Sequence, residues 1–442
     1  MSRSRSGHSV RHALGIAAVA LTGLALTAPV AGGDTVASLR EQVRNGTLSH
    51  THGLTATCDL CLAQEVTTAS GSAQVLSTDS PTGWGADDLA AALHLPAPDA
   101  LGSRKGTVAV ITGGAYPVLE SDLAVYRAQY KLPECTAASG CLKIADLNGG
   151  PPLAEDPANA RYDQAGAAEA ALDVDMVSAA CPECRVIVVQ VPSTDAAPGP
   201  PEQLRKAMAD FTQAVDTAIR LGANAVSMSI GFPNDSSAEA QAIGERLHHP
   251  GVAVVTASGD SGFQPTNTIS WPADLPWVTV AGGVSITKQD SGFTQTAWRW
   301  SGSGCDTNQP GAFGAPDSVS DLCGGHRAAA DVSAVSENVA SYRTYAPYSH
   351  QAPKWTAAAG TSLAAPYVAG LYARGGHTDR VDGPNTVYHA PWGAFTNVTT
   401  GKNYDAANGQ QACASDVQAL CVAGPGWNGP TGVGTPNGLS GF

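Results

Sequence analysis

At 442 residues the chain can bury one large core or two ordinary ones, and 43% hydrophobic with 14% charged residues excludes disorder as its main state. Its 49 Gly and 29 Pro follow no fixed period and no internal repeat is present, which excludes a collagen-like or low-complexity chain and predicts many tight loops. A formal net charge of −14 disfavours nucleic acid and anionic lipid as partners.

Residues 1–31 read as a secretory signal peptide. Arg3, Arg5 and Arg11 precede an apolar run from Ala13 to Ala28, which ends in small residues around Pro29-Val30-Ala31-Gly32. The run is short, interrupted by Thr22 and Thr27, and followed by no basic cluster, so export with cleavage is expected rather than a membrane anchor. No later segment is long and apolar enough to span a bilayer, and no stable membrane insertion is expected after cleavage. Loss of the signal removes three arginines and no acids, taking the charge to about −17.

Residues 32–82 are polar, Thr/Ser-rich and weakly periodic, and read as a short leader or prosegment. The main domain is expected over 83–442, opening at Gly83-Trp84-Gly85-Ala86-Asp87-Asp88-Leu89, where acidic residues start a short amphipathic helix. Buried strands are expected at Thr107-Val108-Ala109-Val110-Ile111, Val186-Ile187-Val188-Val189, Ala225-Val226-Ser227-Met228-Ser229, Val252-Ala253-Val254-Val255 and Val278-Thr279-Val280-Ala281. Between the second and third, Leu204, Met208, Phe211, Val215 and Ile219 fall on one helical face; a shorter helix is expected around Glu239 to Leu247. Apolar strands separated by helices predict right-handed βαβ units. The expected fold is α/β, with a mainly parallel central sheet covered by helices on both faces and active residues at the carboxyl ends of its strands.

The ten cysteines are spaced locally, as Cys58/Cys61, Cys135/Cys141, Cys181/Cys184, Cys305/Cys323 and Cys413/Cys421, and predict five short-range disulfides in an oxidising compartment. A zinc site from the two Cys-x-x-Cys pairs is the disfavoured alternative, since those pairs lie far apart in sequence.

Three motifs carry chemistry. In Gly360-Thr361-Ser362-Leu363-Ala364-Ala365-Pro366 a serine stands on the first turn of an apolar helix, where unpaired backbone N–H groups point at the place an oxyanion forms. Taken alone, the motif favours an ordinary N-cap. In Ala168-Glu169-Ala170-Ala171-Leu172-Asp173, Glu169 and Asp173 stand four apart on one helix face. A solvated acidic helix is the plain reading, but the alanines around the pair argue for burial, and two buried carboxylates share a proton and give a base that works in acid. In Ala257-Ser258-Gly259-Asp260-Ser261-Gly262 an Asp follows an expected strand, either as a turn residue or as a desolvated, protonated donor to an oxyanion. Histidines offer no equivalent. His52 lies in the leader, His248 and His249 precede a Pro-Gly turn, and the first strand ends Thr112-Gly113-Gly114-Ala115 without an Asp.

Together, and in this order, the three motifs resemble those of the sedolisins, serine-carboxyl peptidases with a subtilisin-like fold. The resemblance runs from about Gly83 to the C-terminus and includes Trp271-Pro272-Ala273, Ala281-Gly282-Gly283, Asp331-Val332-Ser333-Ala334 and Gly426-Trp427-Asn428-Gly429-Pro430-Thr431-Gly432. It implies Ser362 as nucleophile, Glu169 as general base and later acid, Asp173 as the group that orients and tunes Glu169, and Asp260 as oxyanion donor. The implied activity is serine-type endopeptidase hydrolysis of protein or peptide substrates through an acyl-enzyme, with an acidic optimum, by a secreted extracellular enzyme. The alternatives are an inert secreted binding homologue and a His-dependent subtilisin-like protease. The family's large prodomain has no counterpart in 32–82. Its structural calcium maps to Asn397, Val398, Gly424, Gly426 and Asn428, where both expected carboxylates are amides. The loss of two charges makes calcium doubtful, with a hydrogen-bonded, metal-free loop as the alternative.

Overall fold

The computed structural model describes residues 64–65, 79–98, 106–193, 200–266, 269–350, 354–404 and 413–442. Every described residue belongs to one compact unit, within Val36–Phe442. The expected signal peptide, most of the leader, His52 and the Cys58/Cys61 pair lie outside the described residues.

The central sheet is built from β2 (Thr107–Gly113), β3 (Leu142–Asp146), β4 (Arg185–Val191), β5 (Ala225–Met228), β6 (Ala253–Ala257), β8 (Thr279–Gln289) and β12 (Val332–Val335), in spatial order β12-β8-β6-β5-β2-β4-β3. All neighbours on that path are parallel, and β9 (Gly292–Ala297) pairs antiparallel with β8. The α/β expectation holds. Side chains alternate across the sheet. Val108, Val110, Val186 and Val188 enter one core, whereas Ala109, Ile111, Ile187 and Val189 enter the other. Burial on both faces explains why these strands read as continuous apolar runs, each large side chain contributing roughly 1.5–3 kcal/mol.

Helices α1 (Ala86–Ala92), α2 (Leu119–Gln129), α3 (Ala160–Ala180) and α6 (Thr361–Gly375) contribute to the first core. The second core takes the apolar face of α4 (Pro201–Arg220), with Met208, Phe211 and Val215 buried, together with α5 (Ala238–Glu245). The chain lays β3 and β4 on one side of β2 and β5, β6, β8 and β12 on the other, which puts the topological switch point at the carboxyl ends of β2 and β5.

A separate sheet sets up the start of α6. There β1 (Gln64–Glu65) and β13 (Val339–Tyr342) pair antiparallel with β14 (Trp355–Ala359), which runs into Gly360. Gly360 takes φ 150° and ψ 155°, a conformation open essentially to glycine alone, and so turns the chain from strand into helix in one residue.

Gly166 sets how closely α3 approaches β2. A Cβ there would lie 1.8 Å from the Gly113 carbonyl oxygen. Gly166→Ala therefore pushes α3 off the sheet, at a cost of about 2–3 kcal/mol, and calorimetry is expected to show a thermal midpoint lower by about 3 °C or more. An unchanged midpoint would contradict this backbone contact.

Four of the expected disulfides are present, Cys135–Cys141, Cys181–Cys184, Cys305–Cys323 and Cys413–Cys421. Since Cys181 and Cys184 are bonded to each other, the zinc alternative fails. Among the described residues, no helix is long and apolar enough to cross a membrane.

Candidate active site

Ser362 lies in the first turn of α6 and is wholly buried. Among the described residues its Oγ has no hydrogen-bond partner. An ordinary N-cap would spend that oxygen on its own helix.

Thr361, immediately before it, is bound to the Asp260 turn. Its backbone N–H and its hydroxyl both donate to Asp260 Oδ1, each at 2.8 Å, while its Oγ1 accepts from the Gly259 N–H at 3.0 Å. One oxygen of Asp260 is thereby tied to the residue preceding Ser362, and the other, Oδ2, has no partner among the described residues. Burial pushes the Asp260 carboxyl up to about 8; the two Thr361 bonds oppose this and the charge on Glu169 adds to it. Near neutrality and below, Asp260 is a neutral acid with a proton to donate.

Glu169 and Asp173 occupy the middle of α3, a helix buried on nearly every face from Gly166 onward. The plain reading of a solvated acidic helix fails here, because Glu169 is 4% exposed and Asp173 0%. Burial raises the Asp173 pKa well above the carboxylate range, and the neighbouring Glu169 charge raises it further. Glu169 thus lies near enough to both Asp173 and Asp260 to act on each.

Ser229, the last residue of an expected strand, was not singled out by the sequence. Its hydroxyl lies 2.7 Å from Asp173 Oδ1 and 3.4 Å from the Ser362 carbonyl oxygen. Pro366 explains the second contact. It stands four residues after Ser362 and has no N–H, so the Ser362 carbonyl loses its intrahelical partner and needs a donor from elsewhere. The Ser229 hydroxyl donates to Asp173 Oδ1 at the shorter distance and shares its one hydrogen with the Ser362 carbonyl. The Ser-x-x-x-Pro spacing was the signal that such a donor must exist.

Where a His-dependent site would need an Asp after β2, the chain has Gly113 and Gly114. A Cβ on Gly113 would lie 2.5 Å from Tyr162 Oη, and one on Gly114 would lie 2.7 Å from Asp163 Oδ1. Asp163, on α3, accepts the Ala115 N–H at 2.9 Å. His248 and His249 are engaged elsewhere, with Asp382 at 2.7 Å and Asp216 at 3.3 Å respectively, and His248 also stacks on Trp277.

A second buried acidic group joins the segments 231–237 and 305–323. The Asn234 amide donates to Asp306 Oδ2 and, at 3.2 Å, to Asp274 Oδ2. Burial pushes Asp274 up to about 7, and the charge on Asp306 contributes.

The residues mapped to calcium lie together, but their oxygens are already bonded. The carbonyls of Val398, Gly424 and Gly426 accept N–H groups from Asn428 and Asn397. A cation needs those carbonyl lone pairs directed at itself, so the residues present do not fit calcium. Among the described residues, no cluster of three or more His, Cys, Asp or Glu is placed to hold a metal ion.

Comparison with known proteins gives a consistent picture. The Subtilase family profile matches residues 164–375. Kumamolisin from Bacillus sp. (strain MN-32) is 26% identical over 395 residues, covering 81% of this chain and 63% of its own length. Subtilisin DY from Bacillus licheniformis is 26% identical over 160 residues, covering 36% of this chain and 44% of its own. The chain therefore spans less than two thirds of either relative. In three dimensions it is similar to Pseudomonas sedolisin, a serine-carboxyl proteinase solved with two molecules of pseudo-iodotyrostatin, with a TM-score of 0.59, 19% identity, and coverage of 81% of this chain and 96% of that one.

Proposed function

We propose that this chain, which has a subtilisin-like fold and is similar to the serine-carboxyl peptidases, is a secreted, acid-working serine endopeptidase acting on protein or peptide substrates. The observation that carries the reading is Asp260, a buried acid pushed to about 8 and tethered through Thr361 to the residue before Ser362.

In this reading Ser362 Oγ attacks the scissile carbonyl carbon while Glu169 takes its proton. The tetrahedral oxyanion is met by the Asp260 proton and by the backbone N–H at the start of α6. The C–N bond breaks as Glu169 returns the proton to the leaving amine. Water then attacks the acyl-enzyme, giving its proton to Glu169, and the Ser362 oxygen leaves with that proton. Asp173, held by Ser229, keeps Glu169 oriented and keeps it company as a proton-sharing neighbour. Residues 1–31 direct export, 32–82 form the leader, and 83–442 the peptidase domain.

The test is hydrolysis of denatured protein from about pH 3 to about pH 8 by wild type and Glu169→Gln. Wild-type kcat/KM is expected to be at least about tenfold higher at pH 4 than at pH 8, and Glu169→Gln to lose about 10³-fold or more. A rate that instead rises with pH through the histidine range would establish the His-dependent alternative. Cleavage at no pH would establish the inert one.

A further inference from the structure

We propose that the side-chain amides of Asn397 and Asn428 form a metal-free clasp that fastens residues 424–431 to residues 397–398, replacing a cation with N–H donors that do not titrate. This does not depend on the proposed peptidase activity.

The hydrogen-bond inventory of the Asn428 amide closes. Asn428 is buried, and its Nδ2 donates to the Val398 carbonyl at 3.2 Å and the Gly424 carbonyl at 3.3 Å. Its Oδ1 accepts from the Thr431 N–H at 3.2 Å and the Thr431 hydroxyl at 2.8 Å. Both hydrogens and both lone pairs of the amide are used, and only one orientation satisfies them. Asn397 pairs in both directions with one residue, donating to the Gly426 carbonyl at 2.7 Å and accepting the Gly426 N–H at 3.1 Å.

The Val398 and Gly424 carbonyl oxygens meet at Asn428 Nδ2, and carbonyl oxygens brought together repel unless something positive lies between them. A divalent cation supplies that charge as an ion; here three N–H dipoles supply it as hydrogens. An aspartate could not, because a carboxylate has no hydrogen and would set negative oxygens against those of Val398 and Gly424.

The clasp secures a segment with many ties to the sheet. Trp427 Nε1 donates to the Ala330 carbonyl at 2.9 Å, the Ala330 N–H to Gly429 at 2.8 Å, and the Val433 N–H to Asp331 at 2.9 Å. Ser301 Oγ donates to the Pro430 carbonyl at 2.7 Å and accepts from the Gly283 N–H on β8 at 2.8 Å. A carboxylate cage releases its metal as its ligands protonate. Neutral amides are unchanged across the same range, so this anchor is the same in acid as at neutrality.

The experiment is calorimetry of the full chain at about pH 4 and about pH 7, with millimolar calcium or with EDTA, comparing wild type and Asn397→Asp/Asn428→Asp. Wild type is expected to melt within about 1 °C of the same temperature in calcium and EDTA at each pH. In EDTA at neutral pH the double variant is expected to melt about 5 °C lower or more, and calcium to recover part of that loss. A wild type that calcium stabilises and EDTA destabilises overturns the proposal, whether or not the variant folds. A variant as stable as wild type in EDTA overturns it as well.

Discussion

Ser362→Ala is expected to lower kcat/KM on an unfolded protein substrate by about 10⁴-fold or more, while the thermal midpoint stays within about 2 °C of wild type. The two halves of this expectation have separate physical grounds. The hydroxyl is buried and has no hydrogen-bond partner among the described residues, so its removal takes nothing from the folded state. Its removal also deletes the atom that forms the acyl bond. A structural N-cap serine would give the opposite pattern, with stability falling and activity keeping pace with the folded fraction. Residual activity within tenfold of wild type, in a protein melting at the wild-type temperature, would remove Ser362 from the chemistry.

Acid is expected to stabilise this protein. Asp260 is pushed to about 8 and Asp274 to about 7 by burial, whereas both titrate near 4 once unfolded. Between these values the folded state holds protons that the unfolded state has released. Stability from both groups is therefore fully present below about pH 4, and is lost as pH rises through about 7 and then about 8. Asp173 and Asp175, also raised by burial, act in the same direction. At roughly 1.4 kcal/mol per unit, Asp260 is linked to about 6 and Asp274 to about 4 kcal/mol at the outer limit, enough to place the midpoint at pH 4 about 5–10 °C above that at pH 8. Asp274→Asn is expected to flatten the slope, since an amide at that position has no proton to lose. Scanning calorimetry across this range decides the matter: a midpoint that climbs from pH 4 to pH 8 would mean that the buried acids ionise without cost.

How far the chain could be read depended on whether a residue's role was local. Strands β2, β4, β5 and β6 announce themselves as short runs with few polar residues because both of their faces are buried. Helix α4 shows its 3.6-residue period because one face is wet. Glu169 and Asp173 are four apart, so the helix alone brings them together. Strand β14, by contrast, is Trp355-Thr356-Ala357-Ala358-Ala359, an alanine-rich run whose strand character comes from pairing with β13 rather than from its own residues. The tie from Thr361 to Asp260 joins positions 101 apart, and that from Ser229 to Asp173 joins positions 56 apart. No spacing rule reaches so far. The meeting of Asn234, Asp274 and Asp306 was hidden for the same reason.

Pro366 gives the start of α6 a mechanical property that a regular helix lacks. Helix ends fray because their outermost carbonyls and N–H groups hold to little beyond their own turn. Here the missing proline N–H passes the Ser362 carbonyl to Ser229 at the end of β5, while Thr361 is fastened to the turn after β6. The first turn of α6 is thus moored to the ends of two neighbouring sheet strands, and thermal loosening of the helix itself does not set its serine adrift.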